Sequence, residues 1–177
     1  MKVLVVVDMQ NDFITGSLGT PEARAIVPNV KKKIEEAVKN GDYIIYTRDT
    51  HFDLYLQTNE GKKLPVEHCV YNTPGWEIPS ELMVPEDYMD YEIINKPTFG
   101  SRLLAGSIDD LDPDPTEIEL VGLCTGICVV SNALLLKTHF YELCEISVDA
   151  TCCACVTPET HEAALKTMEM CQINVKR

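Results

Sequence analysis

The chain has 177 residues, 45% of them hydrophobic and 24% charged, a composition that suits one domain with a full core. Its formal net charge of -13 speaks against a nucleic-acid partner and offers anionic membrane no basic face, so it reads as a solvated acidic surface. Nothing approaches the roughly 20 apolar residues of a membrane span.

Val3 to Val7 is apolar throughout and stops at Asp8. The run is too short for a signal peptide and no small-residue cleavage site follows, so the expected location is the cytoplasm. The same run predicts a central strand buried on both faces. Pro28 predicts the first residue of a helix that buries Ile34, Ala37 and Val38 and stops at Asn40-Gly41. Tyr43 to Thr47 predicts the second strand. Residues 48–77 lack periodicity, and so long a loop in a small domain is usually functional. Glu92 to Asn95 reads as a short strand, Asp109 to Thr116 as an acidic turn segment, and Ile118 to Leu123 as a buried strand. Cys128 to Thr138 predicts a helix and Leu143 to Val148 a strand. Thr157 and Pro158 predict the N-cap and first residue of a helix reaching about Met170, with Gln172 to Val175 as the last strand.

This alternation predicts an α/β fold with a mainly parallel sheet of about six strands, in a single domain over residues 1–177. In open α/β sheets ligands bind beyond the carboxyl ends of the strands. Asp8, Asp49, Lys96 and the segment Cys124 to Cys128 all follow predicted strand ends. Four strands thus deliver polar groups to one rim.

There are eight Cys. Without an export signal they read as thiols, and neither Cys152-Cys153-Ala154-Cys155 nor Cys124-x-x-x-Cys128 has the spacing of a structural zinc site. Most read as small buried hydrophobes. Cys128 differs, because it sits at a strand-to-helix turn. A helix N-terminus favours thiolate over thiol, and its free N–H groups can hold the oxygen of a tetrahedral intermediate. Alone, Asp8 reads as a turn cap and Lys96 as a surface ammonium. Beside Cys128 they read as general base and stabilising cation.

The segments Asp8-Met9-Gln10-Asn11-Asp12-Phe13, Lys96-Pro97-Thr98-Phe99-Gly100-Ser101 and Val121-Gly122-Leu123-Cys124-Thr125-Gly126-Ile127-Cys128-Val129, in that order, resemble the isochorismatase-like cysteine hydrolases, which include the nicotinamidases. The resemblance spans nearly the whole chain. It implies a three-layer α/β/α Rossmann-like fold and a catalytic triad of Asp8, Lys96 and Cys128. It also implies an oxyanion hole from the N–H groups of Cys124 and Cys128, with a cis Leu123–Cys124 peptide bond. The implied reaction is hydrolysis of a small amide through a thioester, with nicotinamide the first-named substrate and no organic cofactor. A homo-oligomer, dimer or tetramer, is expected by the same resemblance.

Nicotinamidases bind a divalent metal, often zinc, through Asp, His and His, places matched here by Asp49, His51 and His68. No His lies between His51 and His68, and Glu60 is the substitute for the missing ligand. Without metal, Asp49 and His51 would be hydrogen-bonding loop residues. Pro65 stands where many nicotinamidases carry a Trp that stacks on the substrate ring. Phe13 and Phe99 are the first replacements, with Tyr71 and Trp76 behind them. A ureide or carbamoyl substrate stays open. So do a thiol redox or metal-binding protein built on Cys124, Cys128 and Cys152 to Cys155, and an idle member of the fold acting as an interaction module.

Overall fold

Lys2–Val7 forms β1, the centre of a six-stranded, wholly parallel sheet in the computed structural model, which describes residues 1–177. The other strands are β2 (Tyr43–Asp49), β3 (Tyr91–Lys96), β4 (Glu117–Leu123), β5 (Glu145–Ala154) and β6 (Asn174–Lys176), in the order β3-β2-β1-β4-β5-β6. The helices are α1 (Asn11–Ile14), α2 (Pro21–Asn40), α3 (Leu104–Asp109), α4 (Val130–Phe140) and α5 (Pro158–Met170). No helix is long and apolar enough to cross a membrane.

β1 is apolar at every position from Val3 to Val7 because both its faces are covered. Leu4 and Val6 face α2, where they meet Ile26, Val30 and Ile34. Val3, Val5 and Val7 face the opposite way, onto Val129, Leu136, Leu165 and Met168. Full burial of each such side chain stabilises by about 1.5–3 kcal/mol. The result is the expected three-layer α/β/α arrangement.

The chain runs outward from β1 through β2 and β3, then crosses to β4 on the other side. The strand order therefore reverses between β1 and β4, where open α/β sheets form their ligand crevice. Gly122 lets these strands close at that point. Its φ is +116°, and a Cβ there would meet the Val7 carbonyl oxygen at 2.2 Å, so any larger residue would wedge the crevice apart.

Several boundaries differ from expectation. α2 begins at Pro21, seven residues before Pro28; the Thr20 hydroxyl caps it by accepting from Ala23 N–H at 3.0 Å. Pro28 is tolerated inside because it and Arg24, whose carbonyl it leaves unpaired, both face solvent. β5 starts after Leu143, which is exposed, and runs on to Ala154. A bulge hid that continuation: between the pairs Leu120↔Val148 and Gly122↔Cys153, β4 advances two residues and β5 five. The helix expected from Cys128 begins instead as a π-turn over Thr125–Val129, continued by α4. Residues Leu104–Asp109 form a short helix just before the acidic turn segment, with Leu104 and Ile108 buried. The last strand lies at Asn174–Lys176, two residues later than expected.

Candidate active site

Asp8 closes β1 with a left-handed φ of +48° and is fully withdrawn from solvent. Lys96 closes β3 and is 1% exposed. Its Nζ reaches Asp8 Oδ2 at 2.6 Å, Cys128 Sγ at 3.6 Å and Asp49 Oδ1 at 3.7 Å. It also donates to the Thr98 carbonyl at 3.2 Å. One buried ammonium thus touches the ends of β1 and β2 and the turn after β4. Asp8 Oδ2 and Asp49 Oδ1 accept no aligned hydrogen bond; the ammonium is their charged neighbour. So costly an arrangement is retained only where charges compensate one another.

The electrostatics assign protonation states. Burial alone would lower Lys96, but Asp8, Cys128 and Asp49 outweigh it and keep it an ammonium. Burial pushes Asp8 up, and Asp49 adds to this while Lys96 opposes it. Burial also pushes the Cys128 thiol well above its ordinary value, reinforced by the charge of Asp8, with Lys96 opposing. Burial and the adjacent carboxylate thus favour the thiol form of Cys128, against the thiolate expected from the helix N-terminus. A thiol beside a raised carboxylate is what a cysteine nucleophile with its base would present at rest.

The Leu123–Cys124 peptide bond is cis. The Cys124 carbonyl accepts from Ile127 N–H at 3.0 Å and Val129 N–H at 3.1 Å, whereas the Cys124 N–H has no protein acceptor. A free N–H four residues before the thiol is the feature an oxyanion donor requires.

β2 continues into a second cluster. His51 Nε2 lies 3.0 Å from Asp49 Oδ2 and 3.7 Å from Glu60 Oε1. His68 Nε2 lies 3.6 Å from Asp49 Oδ2 and 3.8 Å from Glu60 Oε1. The backbone pairing His51↔Val70 brings the two ends of the loop together. All four ligand atoms lie within 4.8 Å of one another, so the residues present fit a divalent cation with N and O donors. His68 Nδ1 faces the Val66 carbonyl at 2.8 Å; donating there leaves Nε2 free to ligate. Burial would raise Asp49, yet hydrogen bonds from His51 and His68 and the charge of Lys96 hold it well below the usual range.

A cavity of about 240 Å³ opens over both clusters. An apolar cavity of about 150 Å³ already holds benzene, so a single-ring ligand fits. Phe13, Leu18, Leu64, Phe99, Ile127 and Val156 supply apolar wall. Asp49, Glu60, His68, Cys124, Cys128 and Cys155 also line it, and no Lys or Arg does. The structure therefore brings Phe13 and Phe99 to the pocket but not Tyr71 or Trp76. Trp76 instead donates to Thr50 Oγ1 at 2.9 Å, with Arg48 stacked 3.6 Å from its ring centre.

Four residues at the site had escaped sequence reasoning. The Thr47 hydroxyl donates to Asp8 Oδ1 at 2.6 Å. Gln10 clasps the Asp49 backbone at both N–H (2.7 Å) and C=O (2.9 Å). Asn132 donates to the carbonyls of Cys128 (2.8 Å) and Phe99 (3.2 Å) and accepts from Ser101 N–H (2.8 Å). Cys155 lines the pocket beside Cys124. Period-2 alternation in Thr47-Arg48-Asp49 would have put Thr47 and Asp49 on one face. Nothing in the local pattern pointed to Gln10 or Asn132, and Cys155 entered only in the redox or metal-binding reading. None of the eight cysteines is in a disulfide.

The family model for the isochorismatase domain matches residues 2–176. A probable inactive nicotinamidase from Arabidopsis thaliana is 29% identical, over 98% of this chain and 89% of that protein. The nicotinamidase of Saccharomyces cerevisiae is 26% identical, over 76% of this chain and 80% of its own. The crystal structure of the pyrazinamidase of Pyrococcus horikoshii in complex with zinc superposes with a TM-score of 0.85 at 29% identity, covering 99% of this chain and 98% of that one.

Proposed function

The chain belongs to the isochorismatase family, and we propose that it hydrolyses the carbon–nitrogen bond of a small uncharged amide, nicotinamide first among them, through a thioester on Cys128. The observation that carries this reading is the Lys96 ammonium, held 2.6 Å from Asp8 and 3.6 Å from Cys128 beside an apolar cavity.

In this mechanism Asp8 Oδ2 takes the thiol proton as Sγ bonds to the amide carbon. The N–H groups of Cys124 and Cys128 hold the oxygen that becomes negative. Asp8 returns the proton to the leaving nitrogen and ammonia departs. A water, deprotonated by Asp8, then attacks the thioester and releases the carboxylic acid and the thiol. Lys96 remains an ammonium throughout, which keeps Asp8 ionised enough to accept a proton and stabilises the thiolate as it forms. General-base action of this kind contributes about 10²–10⁴-fold.

Asp49, His51, Glu60 and His68 would hold one divalent cation, their N and O donors suiting zinc, manganese or iron(II), with zinc first because a similar pyrazinamidase structure is a zinc complex. Bound there, it supplies a Lewis acid beside the substrate pocket.

The lining favours a neutral amide over an anionic ureide, because no Lys or Arg faces the cavity while Asp49 and Glu60 do. A thiol redox protein would leave the buried Asp8–Lys96 pair without a role. Ammonia release from nicotinamide, pyrazinamide and a carboxylate-bearing carbamoyl compound tests the reading. The neutral heteroaromatic amides should be turned over, and Cys128→Ala should abolish this. Failure of wild-type protein on every neutral amide would overturn it.

A further inference from the structure

We propose that Thr47 is the positioning residue that orients the Asp8 carboxylate and thereby makes Oδ2 the oxygen that accepts the thiol proton. The inference rests on the cysteine-hydrolase reading and goes beyond it, because it assigns separate roles to the two oxygens of the base.

Thr47 sits on β2 opposite Val7, the last residue of β1, and its side chain is fully buried. Its hydroxyl has two partners, both on Asp8. The Asp8 N–H donates to Thr47 Oγ1 at 3.3 Å and to the Thr47 carbonyl at 3.2 Å. With a hydroxyl lone pair so engaged, its proton is directed to Asp8 Oδ1, which it reaches at 2.6 Å. A hydrogen bond to an ionised acceptor is short and about twice as strong as a neutral one. Oδ1 is therefore occupied.

Oδ2 is left as the buried oxygen without an aligned hydrogen bond. It faces the Lys96 ammonium, which in turn contacts Cys128 Sγ. An orphaned carboxylate oxygen that shares one ammonium with a thiol, while a fixed partner occupies its twin, is placed to act as a base. Without the hydroxyl the carboxylate can turn about χ2 toward Lys96 alone, and such terminal torsions are soft. Thr47 touches neither thiol nor pocket, so its loss should affect turnover and not substrate binding.

The test compares Thr47→Val, an isostere without the hydroxyl, with Thr47→Ser, which keeps it. Steady-state kinetics on the amide that wild type hydrolyses best should show kcat at least tenfold lower for Thr47→Val, with KM within threefold. Thr47→Ser should stay within threefold of wild type in both. Thr47→Ala carries the same expectation as valine and replaces it if the valine variant does not fold. Valine keeping kcat within twofold, or serine falling as far as valine, would overturn the proposal. Crystal structures of wild type and Thr47→Val supply a readout that survives failure of the amidase reading. A rotated or doubly occupied Asp8 carboxylate supports the assignment; a carboxylate superposing on wild type overturns it.

Discussion

Lys96 Nζ meets Asp8 Oδ2 at 2.6 Å where neither side chain is more than 1% exposed. Two opposite charges so deep in a fold are interdependent. Removing one leaves the other desolvated and unpaired, at about 3–5 kcal/mol. Lys96→Met should therefore destabilise by that order in chemical denaturation as well as abolish hydrolysis. Lys96→Met with Asp8→Asn should recover much of the stability and none of the activity. Full stability in Lys96→Met alone would mean that Asp8 is protonated at rest, which contradicts its proposed role as base.

The cluster of Asp49, His51, Glu60 and His68 predicts a metal content. Protein purified without chelator or nickel-affinity resin should carry close to one equivalent of zinc by elemental analysis. Glu60→Ala should lower it and His68→Ala more so, since a neutral imidazole with its second nitrogen fixed is the better ligand. Less than ~0.1 equivalent in wild type, with none taken up on adding zinc, would rule the site out.

Two pocket thiols should differ in reactivity. Cys155 is held down to about 5, first by the neighbouring Cys124 thiol and, against burial, by the Thr160 hydroxyl and the N–H groups of Gly126 and Val156. Cys128 is pushed up by burial and Asp8. A group with a lowered value is ionised at pH 6, whereas one with a raised value is not. Brief iodoacetamide treatment at pH 6, followed by peptide mass analysis, should label Cys155 ahead of Cys128. Preferential labelling of Cys128 at pH 6 would mean a preformed thiolate at the proposed nucleophile.

Acid stability should report a different network. Burial would raise Glu117, but hydrogen bonds from Lys176, Lys2 and Ser147 depress it to about 2. A carboxyl depressed in the folded state stabilises above its unfolded value of about 4.3 and loses that contribution as pH falls through the folded one. The Tm difference between wild type and Glu117→Gln should therefore be present at pH 7 and shrink between about pH 5 and pH 2. A difference independent of pH would assign the effect to packing.

The strand-end residues of the site were legible because burial and termination are local signals. An all-apolar run that stops at Asp8, and an extended segment that stops at Lys96 before a proline, announce themselves. The loop was harder. His51 and His68 meet only through a pairing to Val70 that no periodicity encodes. Gln10 works through the backbone of distant Asp49 and Trp76, and Asn132 ties Cys128 to the distant Phe99 and Ser101, so no local pattern marks either. The start of α2 was missed because two prolines competed for one role, and the Thr20 hydroxyl that decides between them is informative only once it is seen to cap Ala23 N–H. The expected strand ends at Val148 because polar Asp149 and Thr151 interrupt its apolar run; in the structure these two bond to each other within the bulge.

The proposed thioester on Cys128 can be intercepted directly. Hydroxylamine competes with water for an acyl-enzyme, so wild type turning over nicotinamide in its presence should form the hydroxamate alongside the acid. The ratio should rise with hydroxylamine concentration, and Cys128→Ala should form neither product. Acid released with no hydroxamate at any concentration, or hydrolysis persisting in Cys128→Ala, would contradict a covalent intermediate on this thiol.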